Sequence, residues 1–251
     1  MVRRIVRRVT PDGLRVAVAR ARRAWRDSGL RGSRPRLAVR TQSAAADFPH
    51  AVVGIVQEIK GGAFLEGKLA NIALGADRLD GAVVGPGETL SFWALVGRPS
   101  RAAGFATGRS IRAGVTGGDI GGGLCQLSGI AYEAGMRAGL VVAERHPHSR
   151  DLYTEDERFT PLGLDATVVW PWKDLRLVNP HRVPVRFGFA VRERKLVASV
   201  GAPVALAAAR IEIERTDSVA RRRARIMRLT VEGGVEEISD DNYAVAPAGG
   251  D

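Results

Sequence analysis

The chain has 251 residues, enough to bury one substantial core, and its 45% hydrophobic and 26% charged residues are those of an ordinary globular protein. Its single cysteine excludes an intramolecular disulfide. The net charge of +11 would suggest nucleic acid, but residues 1–40 hold 13 Arg and two Asp while the remainder holds 25 basic and 25 acidic residues, so the charge belongs to an arm and no specific nucleic-acid site is expected.

In chain order, Thr10-Pro11-Asp12 is a helix start, with Thr as cap and Pro at the first helical position. Leu14, Val18, Ala21 and Trp25 then share a face, with Arg15, Arg22, Arg23 and Arg26 elsewhere. The pattern predicts a basic amphipathic helix ending near Gly29, able to lie on an anionic membrane surface or to pack on its own domain. Gly29 to Pro35 reads as a linker and Leu37 to Thr41 as a short strand, followed by a loop carrying Asp47, Pro49 and His50. Phe64, Leu65, Leu69, Ile72 and Leu79 have helical spacing up to the turn Asp80-Gly81. Ala82 to Val84 is a strand candidate, and Thr89 to Val96 and Phe105 to Arg112 are further short apolar segments.

The stretch Gly117 to Ser128, GGDIGGGLCQLS, places Cys125 after Gly121, Gly122 and Gly123 and at the start of a helical pattern that runs from Gln126 to the C-cap Gly139. Leu140 to Ala143 reads as a strand delivering Glu144-Arg145-His146-Pro147-His148-Ser149. Thr167 to Trp170 is the next predicted strand, then Leu175 to Asn179, Pro184 to Val191 and Lys195 to Val200, as in an antiparallel meander. Ile211 to Glu214 and Ile226 to Glu232 close the strand patterns before the Gly233-Gly234 turn, with Arg221 to Arg223 read as a solvated loop. The expected fold is α+β: the Cys-bearing helix packed on an antiparallel sheet, a basic arm over residues 1–35, a main domain over 36–200, a small β extension over 201–245 and a disordered tail over 246–251.

A thiol at a helix start gains from unpaired backbone N–H groups and the partial positive charge there, both of which favour the thiolate. A histidine at the end of the next strand could take its proton, and a third group could orient that imidazole; Asp165, Thr167 and Asp151 are the candidates. Zinc on Cys125, His146 and His148 is the rival reading, without an accompanying CxxC or HExxH, so no metal or other cofactor is expected. Neither a GxxxxGK[ST] loop nor a GxSxG elbow occurs. The basic start is not followed by the roughly 7–15 apolar residues of a secretory signal, and no run approaches the roughly 18 needed to span a bilayer. The expected location is therefore cytoplasmic, with peripheral membrane contact through the arm.

NIALGADRLDG (71–81), GPGETLSFWALVGRP (85–99), GGGLCQLS (121–128), ERHPHS (144–149), PLGLDATVVW (161–170) and DLRLVN (174–179) occur in the order found in the VanW family, which the chain resembles over roughly residues 63–200. Some larger extracellular members of that family are L,D-transpeptidases, in which a cysteine attacks a diaminopimelate-type residue of a peptidoglycan stem and passes the acyl group to another stem. The resemblance implies that Cys125 is the nucleophile and His148, at the end of the E-R-x-x-H-S pattern, the base. It further implies Arg145 as the holder of a substrate carboxylate and Gln126 with backbone amides as the oxyanion hole, with Glu144, Ser149 and Gly121 to Gly123 against a stem peptide or lipid-linked precursor. That acyl-transfer reading carries a link to glycopeptide resistance; the alternative is a non-catalytic binder of cell-wall precursor or membrane surface.

Overall fold

The computed structural model describes residues 12–28, 35–40, 45–112, 115–151, 158–230 and 233–245. They form a mixed α+β fold with few helices and mainly antiparallel sheets. Within the arm lies α1 (Asp12–Asp27), and β1 (Val39–Arg40) follows. The expected loop carrying Asp47 and Pro49 gives way at His50 to a strand not predicted from the sequence, β2 (His50–Glu58). Its alternation is weak because Val52 and Val53 are both buried while Val56 is exposed, which hides a period of two from a sequence reading. Helix α2 (Leu65–Leu79) buries Ile72, Ala76 and Leu79 and ends at Asp80, and β3 (Ala82–Val84) starts at once. The apolar run 89–96 divides into β4 (Thr89–Ser91) and the short α3 (Phe92–Val96), because Ser91 caps the helix by accepting from the Ala94 amide.

A hairpin of β5 (Thr107–Arg112) and β6 (Val115–Ile120) leads into α4 (Leu124–Arg137). Helix α4 reads LCQLSGIAYEAGMR, small or apolar at most positions, and such a helix must be covered on nearly every side. Leu127, Ile130, Tyr132 and Met136 are fully buried, each aliphatic side chain contributing about 2 kcal/mol by leaving water. After α4 come β7 (Val141–Glu144), β8 (Arg150–Asp151), β9 (Arg176–Val178), β10 (Val185–Arg192) and β11 (Lys195–Ala202). The chain ends in the long meander of β12 (Arg210–Asp217), β13 (Arg221–Leu229) and β14 (Val235–Val245).

Among the described residues the strands form a five-stranded sheet ordered β1-β3-β10-β11-β2, a four-stranded sheet ordered β12-β13-β14-β8, a three-stranded sheet ordered β4-β9-β7, and the β5-β6 hairpin. Helices α2 and α4 pack together and against the five-stranded sheet, α4 touching β2 and β11 on one side and β7 and β12 on others. β14 and β8 pair in parallel, which carries the C-terminal sheet onto the segment just after Ser149.

Two predicted features are corrected. Thr167 to Trp170 forms no strand; an isolated bridge joins Val169 to Lys173 around a tight turn. Arg221 to Arg223 is not a loop but the first part of β13, where neighbouring acids neutralise the arginines: Arg222 pairs with Asp151 and Arg223 with Asp240. The tail 246–251, most of the linker 29–34 and the cap Thr10-Pro11 lie outside the described residues. No helix among the described residues is long and apolar enough to cross a membrane.

The arm helix docks in an unexpected sense. Its apolar stripe faces outward, Leu14, Val18 and Trp25 being 55%, 42% and 45% exposed. The face turned inward carries Arg23, which donates to Glu144 at 2.9 and 3.1 Å and to Asp174 at 3.2 Å, while Asp27 accepts from Arg176 at 2.6 and 2.7 Å. These ion pairs attach α1 to the ends of β7 and β9, beside half-buried Val16 and Ala19 on the same face.

Candidate active site

Glycine chemistry sets the position of the thiol. Gly121 and Gly123 have φ of 81° and 103°, angles that favour glycine, so the chain turns sharply from β6 into α4. Gly122 lies so close to Gly108 and Arg109 of β5 that a methyl group would overlap the Gly108 carbonyl. Buried Asn71 of α2 locks the crossing, donating to the carbonyls of Ala106 at 3.0 Å and Gly122 at 2.9 Å and accepting from the Ala106 amide at 2.8 Å. Gly122→Ala should therefore lower stability by about 2–3 kcal/mol, the usual cost of overpacking, read as a lower urea midpoint. A midpoint equal to that of the unaltered chain would contradict this packing.

Cys125 is the second residue of α4 and is half-buried. Its sulfur stands 3.8 Å from the carbonyl oxygen of Val168, and the His148 ring lies near enough to act on its ionisation. His148 lies between β7 and β8, outside any strand. Its Nδ1 donates to Oδ2 of Asp165 at 2.5 Å and its own amide donates to the same oxygen at 2.7 Å, leaving Nε2 for the cysteine. His148 is thus fixed by Asp165 and set beside Cys125. Two further bonds hold their three segments in register: Ser128 of α4 donates to Ala166 O at 2.5 Å, and the Thr167 amide to His146 O at 2.7 Å.

The charges reinforce one another. Burial would raise Asp165, but the His148 hydrogen bond and the charges of His148 and Arg145 hold it well below the usual carboxylate range. Burial would lower His148; the hydrogen bonds to Asp165 and Cys125 more than reverse this and push it up to about 10. Burial would likewise raise Cys125, yet the hydrogen bond and positive charge of His148 bring it below the ordinary thiol value. Both shifts favour the charged pair, thiolate beside imidazolium, over the neutral one.

Other predicted residues serve the frame. Arg145 is not free to hold a substrate carboxylate: its side chain is 4% exposed and its guanidinium is spent on Asp165, on Asp241 and on the carbonyls of Gly163 and Asp165. Glu144 is occupied by Arg23, the Asp174 amide and His146. Gln126 points its Nε2 at Glu58 O, 2.8 Å away, and its backbone amide donates to Gly123 O, so it is not an oxyanion donor in this arrangement. The amides of Gly122 and Leu124 are likewise spent, on Asp119 and Gly121; among the described residues those of Gly123 and Cys125 are not bonded to a backbone carbonyl. Asp151 is held by Arg158 and Arg222, away from any role on His148. Ser149 is exposed, its carbonyl accepting from Ala244. The two imidazoles of H-x-H go to different carboxylates, His146 to Glu144 and His148 to Asp165, and no group of three metal-binding side chains forms among the described residues.

Two residues of β14 were not anticipated. The Tyr243 hydroxyl donates to Oδ1 of Asp165 at 2.6 Å, and Asp241 pairs with Arg145. Both are buried while Asn242 between them is exposed, a period of two that the acidic run DDNY conceals.

Comparison with known proteins gives a match to the VanW like protein family over residues 67–200. A protein of Bacillus subtilis (strain 168), the uncharacterized protein YoaR, is 37% identical over 115 residues, covering 46% of this chain and 36% of that protein. The vancomycin B-type resistance protein VanW of Enterococcus faecalis (strain ATCC 700802 / V583) is 28% identical over 183 residues, 70% of this chain and 66% of its own length. The matches thus span about a third and just under two thirds of these relatives. No solved structure matches the chain.

Proposed function

The chain belongs to the VanW family, and on that premise we propose that it is a cysteine acyltransferase acting on peptidoglycan stem peptides or their precursors, in the manner of an L,D-transpeptidase. The observation that carries this reading is Cys125 at the start of α4 beside His148, whose ring is hydrogen-bonded to Asp165 at 2.5 Å. The Cys125 thiolate attacks the carbonyl carbon of a stem amide and a C–S bond forms, the oxygen taking the charge against the amides of Gly123 and Cys125. His148 gives its proton to the leaving amine as the C–N bond breaks. It then takes a proton from the acceptor amine as that nitrogen attacks the thioester, and the C–S bond breaks to restore the thiolate. Asp165 keeps the imidazole in the tautomer that presents Nε2 to sulfur. A relative named for vancomycin resistance supports a setting in the cell wall. Mass spectrometry of the protein mixed with stem peptides tests the reading. An acyl adduct on Cys125 is expected, and its absence with a panel of tetrapeptide and pentapeptide stems would count against it.

A second activity is favoured by α1. Its outward stripe of Leu14, Val18 and Trp25, flanked by Arg22 and Arg26, fits an anionic lipid surface, with precursor binding there as the non-catalytic alternative. Replacing all three apolar residues with Ser should abolish sedimentation with anionic vesicles. Undiminished sedimentation would remove the membrane from the proposal.

A further inference from the structure

The carbonyl of Val168 stands 3.8 Å from the Cys125 sulfur, and immediately after it the chain turns back on itself through Val169, Trp170, Pro171, Trp172 and Lys173. The turn is tied down from several sides. Val169 and Lys173 exchange amide–carbonyl bonds at 2.9 and 2.8 Å, and the Trp172 amide donates to Val169 O at 2.6 Å. The Trp93 indole donates to Lys173 O at 2.7 Å, and Arg23 of α1 donates to Pro171 O at 3.2 Å. Yet two of its side chains are apolar and open to water, Val169 and Trp172 being 42% and 45% exposed. A turn held this firmly while its indole stays half in water gives up much of the burial that a tryptophan can contribute to folding, and keeps a rigid aromatic surface for contact from outside.

The charges around the turn indicate what that contact is. Arg20 of α1 and Arg98, just beyond α3, both lie over the ring of Trp170, at 5.9 and 5.2 Å from its centroid. Two guanidinium groups over one indole repel each other, and a negatively charged surface relieves that repulsion. An exposed indole and valine beside stacked cations have the chemistry of a bilayer interface, where tryptophan sits at the level of the headgroups and arginine meets phosphate. The turn also adjoins α1, which contributes both Arg20 and Arg23 to it and presents its own exposed Leu14 and Val18.

We propose that the turn 169–173 is a second lipid contact, which enters the headgroup layer of an anionic bilayer and brings Cys125 to the membrane surface. This rests on the membrane reading of α1 for its partner and extends it from the arm to the thiol. The substrate class that follows is a lipid-linked precursor, met at the bilayer, in preference to finished wall.

The test uses the full chain and vesicles of phosphatidylglycerol and phosphatidylcholine in equal parts, with and without bromine on the acyl chains. Bromine quenches an indole only at close range. Trp25→Phe removes the indole of the arm, and brominated vesicles should still quench the fluorescence that remains. Adding Trp172→Phe should remove most of that quenching, because Trp93 is buried. Val169→Ser with Trp172→Ser, in a chain whose α1 is unaltered, should lower partitioning into the vesicles by about tenfold. No quenching in Trp25→Phe, quenching that Trp172→Phe leaves unchanged, or partitioning unmoved by the paired serines overturns the turn as a lipid contact. If chitin oligosaccharides shield Trp172 from acrylamide and vesicles do not, the turn is a sugar platform and the proposal fails. Undiminished sedimentation of the α1 serine variant would remove the arm's apolar face alone, since quenching of Trp172 is read separately, and none of these measurements depends on acyl transfer.

Discussion

Cys125→Ser should reduce acyl transfer between stem peptides by about 10³-fold or more and leave the fold in place. The substitution is nearly isosteric at a half-buried position whose sulfur touches the Val168 carbonyl and the His148 ring, so packing changes little. A hydroxyl in that setting stays protonated near neutrality, whereas the thiol is already held below its ordinary value by the imidazolium. Single-turnover transfer monitored by mass spectrometry would check this, with thermal unfolding as the control for folding. A serine variant that turns over stems as the parent does would end the case for covalent catalysis.

The second large effect belongs to Asp165. In Asp165→Asn the carboxylate that raises His148 is gone, so the imidazole falls from about 10 and loses its proton at lower pH. Cys125 then faces a neutral ring and its pKa rises toward the ordinary thiol range. Modification by a neutral reagent follows the thiolate, so the inflection of rate against pH should move upward. Transfer near pH 7 should fall by about 10²- to 10⁴-fold, the range seen when an orienting carboxylate is lost. Tyr243→Phe removes only the 2.6 Å hydrogen bond to Asp165 and should cost about tenfold, with a smaller upward displacement of the same inflection. An inflection that stays put in Asp165→Asn would mean that the Asp165–His148 bond does not control the thiol.

Local chemistry made some of this legible. The spacing of Leu65, Leu69, Ile72 and Leu79 predicts α2, and Ala82 to Val84 follows its turn as a strand. The order of GGGLCQLS, ERHPHS and PLGLDATVVW nominates Cys125 and His148, and it leaves Asp165, Thr167 and Asp151 as candidates for the orienting group. The frame around them was not legible. Arg145 reads as a surface fork for a carboxylate and becomes a buried strut, because Asp241 and Tyr243 arrive from a strand almost a hundred residues away in sequence. The family match ends at residue 200, so β14 carries no motif that would announce its contact with the site. Arg222 illustrates the same difficulty. A run of three arginines looks solvated until a partner strand supplies the acids, and strand pairing over long separations is what short-range patterns leave undetermined.

Arg23 and Asp27 also limit how the arm can be studied. Glu144 and Asp174 lie largely inside the protein with Arg23 and Arg176 as their shared cations, and burial opposed by the Arg23 hydrogen bond leaves Glu144 at about 2. Cutting the chain before β1 would withdraw Arg23 from both carboxylates and Asp27 from Arg176, at the point where β7 passes into Arg145 and His148. An arm-less protein would thus lose a clasp on its own histidine segment as well as any hold on a lipid surface, and weakened transfer by such a truncation would not report on membranes. The arm is a strap as well as an appendage, and its two faces have to be altered one at a time.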